Sequence, residues 1–187
     1  MSERLDRLAS ELGSRLAEQG LTLATAESCT GGWAAKVITD IPGSSAWLDR
    51  GFVTYSDLAK QEMLGVSGDT LAAEGSVSEA VVREMALGAL AQSRARVALA
   101  ISGIAGPAGG SEDKPVGTVW FAWALSGVAP GAAAADPVPE VHSQLLRFAG
   151  DREEIRHQSV RVALERLLEL LPPSRSAPLT APTAPGD

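Results

Sequence analysis

The run Ala26-Glu27-Ser28-Cys29-Thr30-Gly31-Gly32 places a hydroxyl and two glycines between a short apolar stretch and a segment with helical patterning. A strand that ends in a serine and enters a helix through two glycines builds a turn where backbone and ligand can approach closely. The first amides of such a helix lack intrahelical partners and sit at the positive end of its dipole. A phosphate or a developing oxyanion could therefore be held beside Ser28. Thr30 fits either a cap on the helix or a part of that anion site.

A hydroxyl is a weak nucleophile at neutral pH, so Ser28 needs a base before it can attack anything. The chain offers His142 and His157, the first in a strand-like run, the second among polar residues of the last helix, where a solvated face is the expected setting. Lys60 is a different kind of base. It follows Tyr55-Ser56-Asp57, where a strand ends, so Tyr55 and Lys60 could point into the cleft that holds Ser28. A desolvated lysine loses much of its preference for the charged form and can accept a serine proton near neutrality. Tyr55 could relay that proton. A surface lysine and an edge tyrosine are the competing reading of the same residues.

A second glycine-rich turn runs from Ser102 through Gly103, Gly106 and Gly109 to Gly110, after the apolar run Val97 to Ile101, with Lys114 close behind as a possible cation. It lacks the Gly-Lys-Ser/Thr ending of a Walker loop and the Gly-x-Gly-x-x-Gly spacing of a dinucleotide fingerprint. It is either a phosphate cradle of another kind or a wide loop that needs positive φ.

These residues hang on alternating helices and strands. Leu5, Leu8, Leu12 and Leu16 recur at helical spacing up to Gly20. Leu21 to Ala26 is expected as a buried strand, Trp33 to Ile38 as the helix after the glycine turn, Trp47 to Tyr55 as a strand, and Asp57 to Leu64 as a helix stopped by Gly65. Ser76-Val77-Ser78-Glu79 matches a capping box with Ser76 as the cap, ahead of a helix with Val82, Met85, Ala86, Ala89 and Leu90 on one face. Val97 to Ile101, Val116 to Leu125 and Val141 to Phe148 are expected as strands, the last two as a hairpin across a Gly/Ala/Pro loop at 127–140. Gly150-Asp151 opens a final helix containing Ile155, Val162, Leu164, Leu167 and Leu168. The pattern predicts a single α/β domain over residues 1–171, three-layer α/β/α with a mixed sheet, and both glycine turns at strand ends lining one pocket. Residues 172–187 are rich in Pro, Ala, Ser and Thr without periodicity and are expected to be a disordered tail.

Composition narrows the function. A net charge of −7, a pI near 4.9 and only 16 lysines and arginines without a visible cluster argue against a nucleic-acid partner. No apolar run is long enough to span a bilayer, no signal pattern opens the chain, and Cys29 has no second cysteine to pair with, so the cytoplasm is the expected location. One cysteine and two histidines cannot supply the spacings of a zinc site, which leaves carboxylate-held magnesium open, and no organic cofactor is expected. Trp33, Trp47, Trp120 and Trp123 fit the core better than an interface, and a homo-oligomer is expected only because such assemblies are common.

Taken together, Glu27-Ser28-Cys29-Thr30-Gly31-Gly32, Thr54-Tyr55-Ser56 with Lys60 and Leu64-Gly65-Val66, Gly75-Ser76-Val77-Ser78, Ser102-Gly103-Ile104-Ala105-Gly106-Pro107, Lys114-Pro115-Val116-Gly117-Thr118-Val119 and Gly150-Asp151-Arg152 resemble the CinA C-terminal domain family, in order and spacing, over residues 5 to 170. Within it the chain looks like the stand-alone amidohydrolases. The resemblance implies hydrolysis of the carboxamide of nicotinamide mononucleotide, a step that recycles pyridine nucleotides, without a required metal. It implies Ser28 as nucleophile, Lys60 and Tyr55 as its activating partners, and the nucleotide as a small-molecule partner. Ser102 stands where the family more often has threonine, and a hydroxyl for substrate contact is kept. With the residues read above, it points to the amides of Thr30, Gly31 and Gly32 for the oxyanion, and to the turn from Gly103 to Gly110 with Lys114 or Arg152 for the 5′-phosphate. A copy of this domain that only binds nucleotides is the competing class. The larger domain with pyrophosphatase activity that precedes it in some members has no room here.

Overall fold

A computed structural model describes residues 2–127 and 138–173. The chain runs α1 (Ser2–Glu18), β1 (Leu23–Glu27), α2 (Trp33–Thr39), a 3₁₀ turn (Ser44–Ala46), β2 (Leu48–Val53), α3 (Asp57–Leu64), α4 (Gly68–Glu74), α5 (Glu79–Ala91), β3 (Val97–Gly103), β4 (Thr118–Leu125), β5 (Glu140–Arg147) and α6 (Arg152–Leu170). The five strands form one mixed sheet in the order β2-β1-β3-β4-β5. β2, β1 and β3 are parallel, with Glu27 opposite both Val53 and Ile101, while β3-β4 and β4-β5 are antiparallel. The carboxyl ends of the three parallel strands therefore lie side by side. Most of the expected 127–140 loop, residues 128–137, and most of the expected tail, residues 174–187, lie outside the described residues.

Side-chain size alternates along the central strands and assigns each face its helices. Val97, Leu99 and Ile101 of β3 and Val119, Phe121, Trp123 and Leu125 of β4 face a core shared with α1, α2 and α6. Ala98 and Ala100, with Ala122 and Ala124, face the other way, onto Val81, Val82, Met85, Ala86 and Ala89 of α5. The alanine face lets α5 lie close to the sheet, and α3 and α4 pack over α5 in turn. Gly88 makes the close approach of α3 to α5 possible, because a Cβ there would overlap the Leu64 carbonyl oxygen. The domain is a three-layer α/β/α sandwich.

Trp123 is fully buried and its indole N–H donates to the Ala163 carbonyl at 3.0 Å, a partner that buried indoles need. Trp33 and Trp47 pack at the edge of the core behind α2 and α6, and Trp120 at the edge of the one under α5.

Several boundaries differ from the sequence reading, each for a local reason. β1 starts at Leu23 because the Leu21 amide still donates to Leu16, closing α1. The cap of α5 is Ser78, whose hydroxyl accepts from the Val81 amide at 3.4 Å and donates to the Gly75 carbonyl at 2.8 Å. Ser76 is not a cap, since its hydroxyl is drawn to Asp57 and its carbonyl to Ser102. The predicted box is found instead at α6, where Asp151 accepts from the Glu154 amide and Glu154 reaches back to the Asp151 amide. Helix α4 was not expected, since the sequence reading assigned no element between the Gly65 stop and Ser76. Ser67 caps it, and Glu84 of α5 ties it down through the Ser67 amide and the Thr70 hydroxyl, each at 2.7 Å.

Gly88→Ala should destabilise the fold by about 1–3 kcal/mol or more, because the clash is with backbone rather than with a side chain that can turn away. The urea midpoint should fall with an unchanged slope.

Candidate active site

Glu27 closes β1 with a side chain that is fully buried. Its carboxylate accepts the amides of Ala34 and Ala35, each at 2.9 Å, and the Thr25 hydroxyl at 3.4 Å. The start of α2 is thereby occupied by an anion of the protein itself, so the helix-start anion site expected from the sequence is filled from within. Between them, Gly31 (φ 62) and Gly32 (φ 89) take left-handed conformations that reverse the chain, and the Gly31 amide donates to the Ser28 carbonyl at 3.1 Å. Thr30 does not cap α2. Its hydroxyl is buried without a hydrogen-bond partner, and the helix is entered from Gly32.

Arg156 of α6 holds this turn from outside, donating to the carbonyls of Cys29 at 3.1 Å and Thr30 at 2.9 Å while its guanidinium stacks 5.2 Å from the Trp33 ring centre. In a trans peptide the N–H points opposite the C=O. Pinning the Cys29 carbonyl to α6 therefore turns the Thr30 amide away from α6. Among the described residues, the Thr30 and Gly32 amides donate to no backbone carbonyl.

Ser28 extends the ladder, its amide donating to Ile101 at 2.9 Å. Its hydroxyl meets Lys60, which α3 sends in from the other helical layer. The lysine side chain is 1% exposed, and its Nζ donates to Ser28 Oγ at 3.3 Å and to the Thr54 carbonyl at 3.0 Å. Asp57 lies one helical turn back, 3.8 Å from Nζ. Burial pushes the Lys60 amine below the usual lysine range, and Asp57 partly opposes that. Cys29 beside the serine is buried too. Desolvation pushes its thiol up to about 12, so it is protonated and unreactive at neutral pH.

Tyr55 is not inside with Lys60. It is 62% exposed, and its hydroxyl accepts from Arg152 at 3.0 Å, while the same arginine donates to the Gly106 carbonyl at 2.7 Å. Arg152 thus joins the Tyr55 rim to the second glycine turn and also borders the Gly31-Gly32 turn. Ser102 is buried and donates to the Ser76 carbonyl at 2.7 Å. Gly103 is pressed against Val119 and the Thr118 carbonyl, and Gly110 against the Lys114 carbonyl. Gly106, Gly109 and Gly110 have positive φ, as a wide loop requires. Lys114 points elsewhere, its Nζ donating to the Glu74 carbonyl at 2.7 Å on the α4 side, beside a cleft bounded by Ser78, Arg83 and Trp120. Arg152 and Lys114 therefore do not meet.

Neither histidine reaches Ser28. His142 sits on the far edge strand, 2.9 Å from Glu140. His157 is not on a solvated face, since its ring packs edge-on against Trp33. A cleft of about 720 Å³ lined by Gly31, Gly32, Trp33, Arg152, Arg156 and His157, among others, adjoins the turn after Ser28, and Ser28 and Lys60 are not among its walls. Among the described residues no cluster of three metal-ligating side chains occurs, and no helix is long and apolar enough to cross a membrane.

The family model of the CinA C-terminal domain matches residues 5–171. The chain belongs to this family. It is 55% identical over 163 residues to nicotinamide-nucleotide amidohydrolase PncC of Escherichia coli K12, covering 87% of this chain and 92% of that protein. To the protein of the same name from Enterobacter agglomerans it is 53% identical over 169 residues, covering 90% and 96%. Among solved structures, the competence/damage inducible protein CihA of Agrobacterium tumefaciens superposes with a TM-score of 0.81 at 44% identity, over 89% of this chain and 95% of that one.

Three residues of the site had no role in the sequence reading. Glu27 carried a signal, a lone charge in an otherwise apolar strand end. Asp57 lay inside a quoted motif, three residues before Lys60. Arg156, far along the chain, carried none. In the native protein Cys29 should react with a thiol reagent at pH 8 roughly a thousandfold more slowly than in the unfolded chain, as a rise from 9.0 to about 12 requires. A time course of absorbance with and without guanidinium checks this.

Proposed function

We propose that this chain is a serine amidohydrolase that converts nicotinamide mononucleotide to nicotinate mononucleotide and ammonia, in the recycling of pyridine nucleotides. The observation that carries the chemistry is the Lys60 Nζ to Ser28 Oγ contact at 3.3 Å, with burial shifting the lysine toward its neutral form. The names of the relatives from E. coli and E. agglomerans support the substrate.

Ser28 Oγ attacks the carboxamide carbon, and its proton passes to Lys60 Nζ. The tetrahedral oxyanion falls to the Thr30 and Gly32 amides, each donor contributing on the order of 3 kcal/mol when preorganised. Collapse breaks the C–N bond, and ammonia leaves carrying the proton from Lys60. Water then attacks the ester, giving its proton to Lys60, and Ser28 Oγ recovers that proton as nicotinate mononucleotide departs. Among the described side chains Lys60 is the one hydrogen-bonded to Ser28 Oγ, so Tyr55 enters the proton route only by turning off Arg152. We assign the 5′-phosphate to Arg152 and the turn around Gly106, in preference to Lys114.

Purified protein with chelator present should release ammonia from nicotinamide mononucleotide. Ser28→Ala and Lys60→Met should lower kcat by about a thousandfold or more with circular dichroism unchanged. The acceptor is the neutral amine, so the rate should rise with pH and level off below the range where an ordinary lysine titrates. A break only in the ordinary range would refute Lys60 as the base, and full activity in Ser28→Ala would refute the nucleophile. Binding without turnover in the wild type would identify a nucleotide-binding module instead.

A further inference from the structure

The base is braced from the second glycine turn by three links. Ser102, buried on β3, donates to the Ser76 carbonyl at 2.7 Å; Ser76 in turn donates its hydroxyl to Asp57 Oδ1; and Asp57 Oδ1 faces Lys60 Nζ at 3.8 Å. Asp57 is half-exposed, and the Ser76 hydroxyl holds its carboxylate on the side that faces Lys60.

A neutral lysine amine has two N–H donors and one lone pair, and only the lone pair can take the serine proton. Thr54 draws one N–H at 3.0 Å. We propose that Asp57, held by Ser76, is a positioning residue for the reaction: it draws the second N–H so that the lone pair is left facing Ser28 Oγ, and its negative charge sets how firmly Lys60 holds the proton it takes. The proposal rests on the serine-lysine reading above.

Among the described residues, the groups that act on the Lys60 charge are Asp57 and, more weakly, Cys29. On α3 the group is Asp57 itself. In the nucleophile turn Cys29 is a protonated thiol. At the end of β1 Glu27 gives its carboxylate to the α2 amides. From α6, Arg152 is engaged with Tyr55 and Gly106, and Arg156 with the carbonyls of Cys29 and Thr30. A carboxylate favours the charged lysine, so Asp57 opposes the effect of burial, and removing its charge lowers the pH at which Lys60 gives up its proton.

The chain has three lysines, Lys36, Lys60 and Lys114, so their side chains can be followed one by one. With 13C-labelled lysine, the Cε signals would be titrated in wild type, Asp57→Asn, Asp57→Glu and Ser76→Ala, the Lys60 signal being assigned by its loss in Lys60→Met. Asp57→Asn should move the Lys60 midpoint down by about one pH unit. Ser76→Ala should move it less in the same direction, and Asp57→Glu should restore it, with Lys36 and Lys114 unmoved throughout. In the same variants the acid limb of kcat/KM for nicotinamide mononucleotide should move to lower pH with the midpoint, and kcat should fall in Asp57→Asn as the lone pair loses its aim. A Lys60 midpoint that stays put or rises in both Asp57→Asn and Ser76→Ala overturns the brace. The titration needs no substrate, so an inactive wild type with a shifted midpoint would sink the amidohydrolase reading and leave the brace standing. An active wild type with an unmoved midpoint would do the reverse.

Discussion

An uncompensated carboxylate cannot be sunk to zero exposure at the end of a strand, and Glu27 is compensated by two backbone amides of the helix that follows rather than by a cation. Much of the nucleophile turn depends on that choice. Because the partners belong to the first turn of α2, the strand end and the helix start are tied together with only a few residues between them. The chain must reverse within that span, and two consecutive glycines with left-handed φ do it. Ser28 is left at the point where the strand stops and the reversal begins, still anchored to β3 through its amide. Arg156 then fixes the remaining freedom, the orientation of the peptides on either side of Thr30.

The sandwich supplies the two sides of the site from different layers. Lys60 arrives from α3, in the layer that rests on the alanine face of the sheet, while Arg156 and Arg152 arrive from α6 in the layer over the bulky face. The carboxyl ends of β2, β1 and β3 are where these layers open onto a common rim, as in parallel α/β sheets generally. Lys60 and Arg156 therefore come from opposite layers and meet at Ser28 and its turn.

Periodicity made most of the elements legible, because the leucines of α1, the alanine and valine alternation of β3 and the stripe on α5 are each set by one dominant burial. What was hidden is what local pattern cannot rank. Ser76 and Ser78 both suit a helix cap, and the choice was made by Asp57, nearly twenty residues earlier, which takes the Ser76 hydroxyl. Helix α4 was concealed because it is held by Glu84 of α5 rather than by its own propensity. Ser28 and Lys60 were paired from residue chemistry, and the structure brings them into contact. Tyr55 was placed with them by its position after β2, yet it lies on the rim, where Arg152 takes its hydroxyl. Lys114 and Arg152 looked interchangeable as cations because nothing in the sequence says that their loops face different sides.

Lys60 ranks with Trp123 and Phe121 among the largest fully buried side chains. Folding strips water from an ammonium that the unfolded chain keeps hydrated, so at neutral pH the native state is disfavoured by this buried amine. Stability and chemistry pull in opposite directions at this one position. An apolar side chain of similar length would remove that opposition, leaving the Thr54 carbonyl without this donor. In a duplicated copy released from the reaction, drift toward an oily side chain at position 60 meets little resistance from the fold. The amine at position 60 is thus one that the fold alone does not call for.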